Sequence, residues 1–170
     1  YQLPLKDQKD LYNLFQVKFH EVSEQLVSKV GTLVEEFSMY QNKYQRFWSI
    51  ETFNLSQYNQ VIFLDSDILC RGAIDRLWTF DASFSACPDI FFYENKIRSA
   101  KTFLECKGEL NSSNVFNKSF NSGVFLINYK SLQEGTYQSL LNMLNPSTFM
   151  QIKSGHTDQL LLNVYFKDKV

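Results

Sequence analysis

The most constraining feature of the chain is the run Tyr58-Asn-Gln-Val-Ile-Phe-Leu-Asp65-Ser-Asp67-Ile-Leu-Cys70, in which large apolar residues give way abruptly to two carboxylates one residue apart. Val61 to Leu64 is too short for a helix core and is rich in β-branched and aromatic side chains, so it reads as a buried strand. In open α/β sheets ligands bind beyond the carboxyl ends of strands, and Asp65 and Asp67 stand at such an end. An Asp-x-Asp placed there can aim both carboxylates at one hard divalent ion, a kind of ion that often shares its shell with substrate phosphates. A metal-diphosphate site is therefore the leading reading. A polar turn ending a strand is the plainer alternative, and motifs further along the chain weigh against it.

Composition narrows the classes of function. At 170 residues and 44% hydrophobic, the chain can bury one sizeable core. A formal net charge of −1 and the lack of a basic run imply neither a nucleic acid nor an anionic membrane as partner. Three cysteines, Cys70, Cys87 and Cys106, are an odd number without metal-ligand spacing, which fits a reducing compartment, cytoplasmic or peripheral to a membrane. Asn-x-Ser sequons at Asn54, Asn111 and Asn117 leave a secretory lumen open. No apolar stretch approaches the roughly 20 residues that span a bilayer.

Read in order, Tyr1 to Lys6 is assigned a short strand, Asp7 caps a helix to about Phe15, and Val17 to Val22 alternates like a strand. Helices follow over 23–37 and 42–54, the latter with Phe47, Ile50 and Phe53 along one face. A short helix is predicted around Ile74 to Trp78 and a strand over Phe84 to Asp89. Positions 90 to 118 read as a helix and a long loop. A polar turn at Asn121-Ser122-Gly123 leads into a strand over Val124 to Ile127. A helix then runs from Tyr129 to Leu144, interrupted near Gly135 and closed by Pro146, and a capped helix begins at Thr157 or Asp158 and runs to Phe166. Strands alternating with helices predict a single α/β domain over 1–170 with a largely parallel sheet.

The sequences Leu-Asp65-Ser-Asp67-Ile-Leu, Ala-Cys-Pro-Asp89, Phe-Asn121-Ser122-Gly123-Val-Phe-Leu-Ile-Asn and Asp158-Gln159-Leu-Leu-Leu-Asn163, in that order and spacing, resemble the family 8 glycosyltransferases of the glycogenin and lipopolysaccharide galactosyltransferase type. The resemblance covers positions 46 to 166. It implies a GT-A fold with a Rossmann-like, mostly parallel sheet and flanking helices, a UDP-sugar donor, a saccharide or other hydroxyl acceptor, a Mn²⁺ (or Mg²⁺) ion, and transfer with retention of configuration. Carried over by position, Asp65 and Asp67 resemble the metal-holding pair, with Ser66 beside the ribose. Asp89 resembles the acid that binds sugar hydroxyls, and Asn121 and Ser122 match a pair lining the sugar pocket. Asp158 and Gln159 match a pair near the anomeric carbon, and Arg46, or else Lys43, is similar to a basic residue that contacts the donor. Family members also begin with a strand and an Asn-Tyr-type loop that hold the nucleoside and end with a late His and a Lys-Pro-Trp-like segment. Neither is found here, so the expectation is that segments are missing at both ends.

The plainer readings are a strand end for Asp89, a turn for Asn121-Ser122-Gly123, a helix cap for Asp158, a solvated helix face for Arg46, a helix-start residue for His156 and a structural role for His20. The aromatic cluster at Phe91 to Tyr93 reads as a packed loop. Among rival functions, haloacid-dehalogenase-type phosphatases also place Asp-x-Asp after an apolar strand, but they want Thr or Val two residues beyond the second Asp, where this chain has Leu69. A non-catalytic sugar-nucleotide-binding domain is the third reading.

Overall fold

A computed structural model describes residues 3–88, 105–106, 120–153 and 156–166. The central sheet has three strands, β1 (Gln60–Leu64), β2 (Phe84–Pro88) and β4 (Phe120–Asn128), in the order β1-β4-β2. Both neighbours run antiparallel to β4, with Leu64 opposite Val124 on one side and Phe84 opposite Ile127 on the other. Among the described residues, then, the expected mostly parallel sheet is not what forms. β1 and β2 point the same way, yet β4 lies between them, and the alternation of elements along the sequence says nothing of that insertion. A two-residue antiparallel ladder joins β3 (Glu105–Cys106) to β5 (Ile152–Lys153).

β4 is the buried centre, with Phe125, Leu126, Ile127 and Asn128 all at most 3% exposed. β1 is half-buried, and no second strand pairs with its outer edge among the described residues. Pro88 lacks a backbone N–H, which suits the end of β2, an edge strand among the described residues, and the ladder is irregular between Ala86 and Pro88.

Helices cover one side. In α1 (Leu5–Phe15) no residue is buried. Leu26, Val30 and Leu33 of α2 (Glu24–Glu36) face the core, and the Ser23 hydroxyl caps this helix by accepting from Leu26 N–H at 3.3 Å. Phe166 closes α5 (Asp158–Phe166) by stacking on Phe84 with ring centres 4.1 Å apart.

Five local expectations are corrected. The helix predicted over 42–54 is a 3₁₀ segment, Tyr44–Asn54. Its buried residues Phe47, Ile50 and Phe53 recur every third position, the repeat of a 3₁₀ helix, and Thr52 back-bonds to the carbonyl three residues earlier, with the Ser49 hydroxyl likewise 3.1 Å from the Arg46 carbonyl. Val17 to Val22 is irregular rather than a strand, because no ladder partner lies beside it among the described residues. Leu3 and Pro4 form no strand, and α1 starts at Leu5. The helix expected from Tyr129 shortens to α3 (Thr136–Met143), starting after Gly135, whose φ of 77° is left-handed. Pro146 does not close that helix; it begins α4 (Pro146–Met150), capped by Asn145, whose side chain accepts from Thr148 N–H at 2.9 Å.

The buried carboxylate of Glu51 ties these pieces together. It accepts from Ser23 N–H (3.2 Å), Asn54 Nδ2 (2.8 Å) and Tyr137 OH (2.8 Å), and His20 Nε2 lies 3.5 Å away. Burial alone would raise its pKa, but the hydrogen bonds from Asn54, Tyr137 and Ser23 outweigh that and hold it below the ordinary glutamate value. His20, itself exposed, meets this cluster from an irregular segment and not from the strand read from the sequence.

Candidate active site

The crevice lies where the carboxyl end of β1, the start of β4 and the first turn of α5 meet. The Asp65 N–H donates to the Gly123 carbonyl at 2.8 Å, extending the β1–β4 pairing by one step just where the acidic pair begins. Asn121-Ser122-Gly123 is therefore not a turn but part of β4, in the stretch where the ladder to β2 is irregular. Asn121 is exposed and Ser122 buried, and both line the crevice. Asn121 folds back to accept from Gly123 N–H at 2.8 Å.

Gly123 has a steric reason to be glycine. A Cβ there would lie 2.9 Å from Asn121 Oδ1 and 3.0 Å from Asp65 Oδ2. The bare backbone lets the Asp65 carboxylate settle against the strand.

Asn163 docks α5 onto this strand. Its side-chain oxygen accepts from Phe120 N–H at 2.9 Å, and its amide nitrogen donates to the carbonyls of Phe120 (2.9 Å) and Gln159 (2.7 Å). The side chain thus imitates a neighbouring strand for one residue of β4. This docking brings Gln159 beside Asn121, whose Nδ2 donates to Gln159 Oε1 at 3.4 Å.

The resulting crevice holds about 420 Å³ and is lined by Arg46, Asp65, Ser66, Asp67, Asn121, Ser122, Asp158 and Gln159, together with Gly123, His156 and Thr157. Four stretches distant in sequence, carrying eight of the predicted site residues, converge there. Asp89, with the aromatic cluster at Phe91 to Tyr93, lies outside the described residues.

The carboxylates differ in setting. Asp65 and Asp67 are exposed, whereas Asp158 is 7% exposed. Although its side chain is exposed, partial desolvation by the surrounding crevice raises the Asp65 pKa, the nearby negative charges of Asp158 and Asp67 raise it further, and Arg46 opposes them. Burial also raises the pKa of Asp158, against the pull of hydrogen bonds from Ser49, Thr157, Ser122 and the Gln159 N–H. Thr157 Oγ1 donates to one carboxylate oxygen and Ser49 Oγ to the other, each at 2.9 Å.

A cluster of oxygen-bearing, mutually repelling carboxylates suits a hard divalent ion. Among the described residues no group of three or more His, Cys, Asp or Glu side chains is arranged to hold a metal. Asp65 and Asp67 are the two exposed carboxylates of the crevice that could contribute oxygens to such an ion.

Three residues were missed in the sequence. His156, read as an ordinary helix-start residue, lines the crevice. Thr157, read only as a cap, donates to Asp158. Ser49 lies behind Asp158 inside an aromatic-rich segment, and no sequence signal sets it apart.

A sequence model described as Glycosyl transferase family 8 matches residues 3–170. Neither the curated proteins nor the solved structures contain a match to this chain.

Proposed function

The chain belongs to glycosyl transferase family 8, and from that membership we propose that it transfers a hexose from a UDP-sugar to a hydroxyl of a saccharide or other acceptor, with retention at the anomeric carbon and with a divalent ion. Glycosyl transfer, with a sugar donor and an acceptor, and a GT-A fold come with the family. The nucleotide, the stereochemistry and the ion are our reading. It is supported by one observation, the gathering of Arg46, Asp65, Ser66, Asp67, Asn121, Ser122, Asp158 and Gln159 around a single crevice.

Asp65 and Asp67 would hold Mn²⁺ or Mg²⁺, which when bound supplies Lewis-acid stabilisation of the negative charge on a departing diphosphate. Arg46, whose charge already reaches Asp65, adds a cation for the same oxygens. Ser66 offers a hydroxyl to the ribose. Asn121 and Ser122 offer an amide and a hydroxyl to the sugar, and Asp89 is proposed to bind its remaining hydroxyls.

As the sugar becomes oxocarbenium-like, positive charge grows at its reactive face. The side-chain oxygen of Gln159, oriented by Asn121, presents the negative end of a dipole that need not reorganise to meet this charge. Both oxygens of Asp158 are taken up by hydroxyl donors, so it serves as a fixed negative group behind Gln159 rather than as a nucleophile that swings outward.

Calorimetric titration with UDP tests the reading. We expect binding in Mn²⁺ that is at least tenfold weaker in EDTA, and Asp67→Asn should remove that difference, since losing one of two carboxylates weakens the ion and the diphosphate it bridges. Equal UDP affinity in EDTA and Mn²⁺ would sink the metal-diphosphate assignment. Turnover of an aryl phosphate without UDP-sugar hydrolysis would instead restore the phosphatase reading.

A further inference from the structure

Asp158 owes its orientation to groups on several elements. Thr157 is its neighbour in sequence and moves with it, so the Thr157 bond cannot fix Asp158 relative to the rest of the crevice. Asn163 docks the helix, and the carboxylate itself is held from other elements by Ser122 on β4 and Ser49 on the 3₁₀ segment. Ser122 itself lines the crevice; Ser49 is 4% exposed and lies behind it.

The Ser49 hydroxyl has one proton and two acceptors in reach, Asp158 Oδ2 at 2.9 Å and the Arg46 carbonyl at 3.1 Å. A carboxylate is the stronger acceptor and also the nearer one, so the proton goes to Asp158. The same short segment thus presents Arg46 to the crevice and holds the carboxylate from behind.

We propose that Ser49 is a positioning residue of the transfer reaction: its hydroxyl fixes the plane of the Asp158 carboxylate in the first turn of α5, the turn that also carries Gln159. This rests on the function proposed above and names the buried group that sets its geometry. Ser49 touches no substrate. Its loss acts through Asp158 and therefore on the transition state more than on donor binding.

The experiment follows UDP release from a panel of UDP-hexoses by the full chain, comparing wild type, Ser49→Ala, Ser49→Thr, Asp158→Asn and the Ser49→Ala/Asp158→Asn pair. Expected are a kcat about tenfold lower for Ser49→Ala with donor KM within about twofold, substantial recovery in Ser49→Thr, and a double variant no slower than Asp158→Asn alone. A wild-type kcat in Ser49→Ala overturns the proposal, as does a loss that persists in full on the Asp158→Asn background, which would reveal a general packing effect. Should Ser49→Ala fail to fold, Ser49→Thr decides: near wild-type kcat supports the role, and a loss as deep as that of Asp158→Asn overturns it. A wild type that releases UDP from no donor removes the proposed function and this inference with it, whereas an active wild type with an unaffected Ser49→Ala removes this inference alone.

Discussion

Gly123→Ala separates stability from function in this protein. The new methyl carbon would meet Asn121 Oδ1 at 2.9 Å and Asp65 Oδ2 at 3.0 Å, where ordinary contact begins at 3.4 Å, so both oxygens must withdraw by a few tenths of an ångström. Both are ends of rotatable side chains, and Gly123 has no positive φ that alanine would strain. Replacing a strand glycine also relieves an unfolded-state entropy cost of about 0.5–1 kcal/mol. The fold should therefore be little affected, with a melting temperature within about 3 °C of wild type. The cation site should not be spared, since metal–oxygen distances tolerate only about 0.2 Å. Mn²⁺-dependent UDP affinity is expected to fall by about tenfold or more, the range seen when groups supporting a metal ligand are altered. Calorimetry with UDP in Mn²⁺ and in EDTA, beside a thermal melt, reads both quantities. Wild-type Mn²⁺-dependent affinity in a folded Gly123→Ala would refute the idea that the bare backbone makes room for the Asp65 carboxylate.

Two further predictions concern the supports of the site. Asn163→Ala leaves the buried N–H and C=O of Phe120 without their side-chain partner, at about 1–3 kcal/mol for each unsatisfied group; urea unfolding should show a loss of about 2–4 kcal/mol, and a loss below about 0.5 kcal/mol would mean that the amide is not the strand mimic described. Glu51 has a pKa held below its unfolded value of 4.5, so its contribution is present above that value and is lost as pH falls through the lower, folded one. The stability advantage of wild type over Glu51→Gln in urea should be full near neutral pH and shrink under acid, with His20 and Tyr137 the other titratable groups at this carboxylate; a difference unchanged down to about pH 3 would rule the linkage out.

Much of the site was legible in the sequence because its signals are local. A short apolar run ending in Asp65-Ser-Asp67 identifies β1 and the end at which it carries acids, and Asp158-Gln159 at the start of an apolar helix identifies the first turn of α5. Resemblance to a family then joined these separate signals, including Asn121-Ser122, into one set. The structure brings eight of the nine nominated residues to one crevice, while Asp89 lies outside the described residues. Strand direction was not legible, because it depends on which distant segment is inserted beside β1, and periodicity within a segment is silent on that choice. For the same reason Asn121-Ser122-Gly123 has the composition of a turn and the conformation of a strand: it lies between the paired residues Phe120 and Val124, and the Asp65 N–H on the Gly123 carbonyl is a tertiary contact that overrides the local preference. Val17 to Val22 shows the converse, an alternating pattern left irregular where no partner strand lies beside it among the described residues. Ser49 marks the limit of local reading most sharply. Its place behind Asp158 comes from docking two segments 109 positions apart, and only the packed chain brings that hydroxyl and that carboxylate within 2.9 Å.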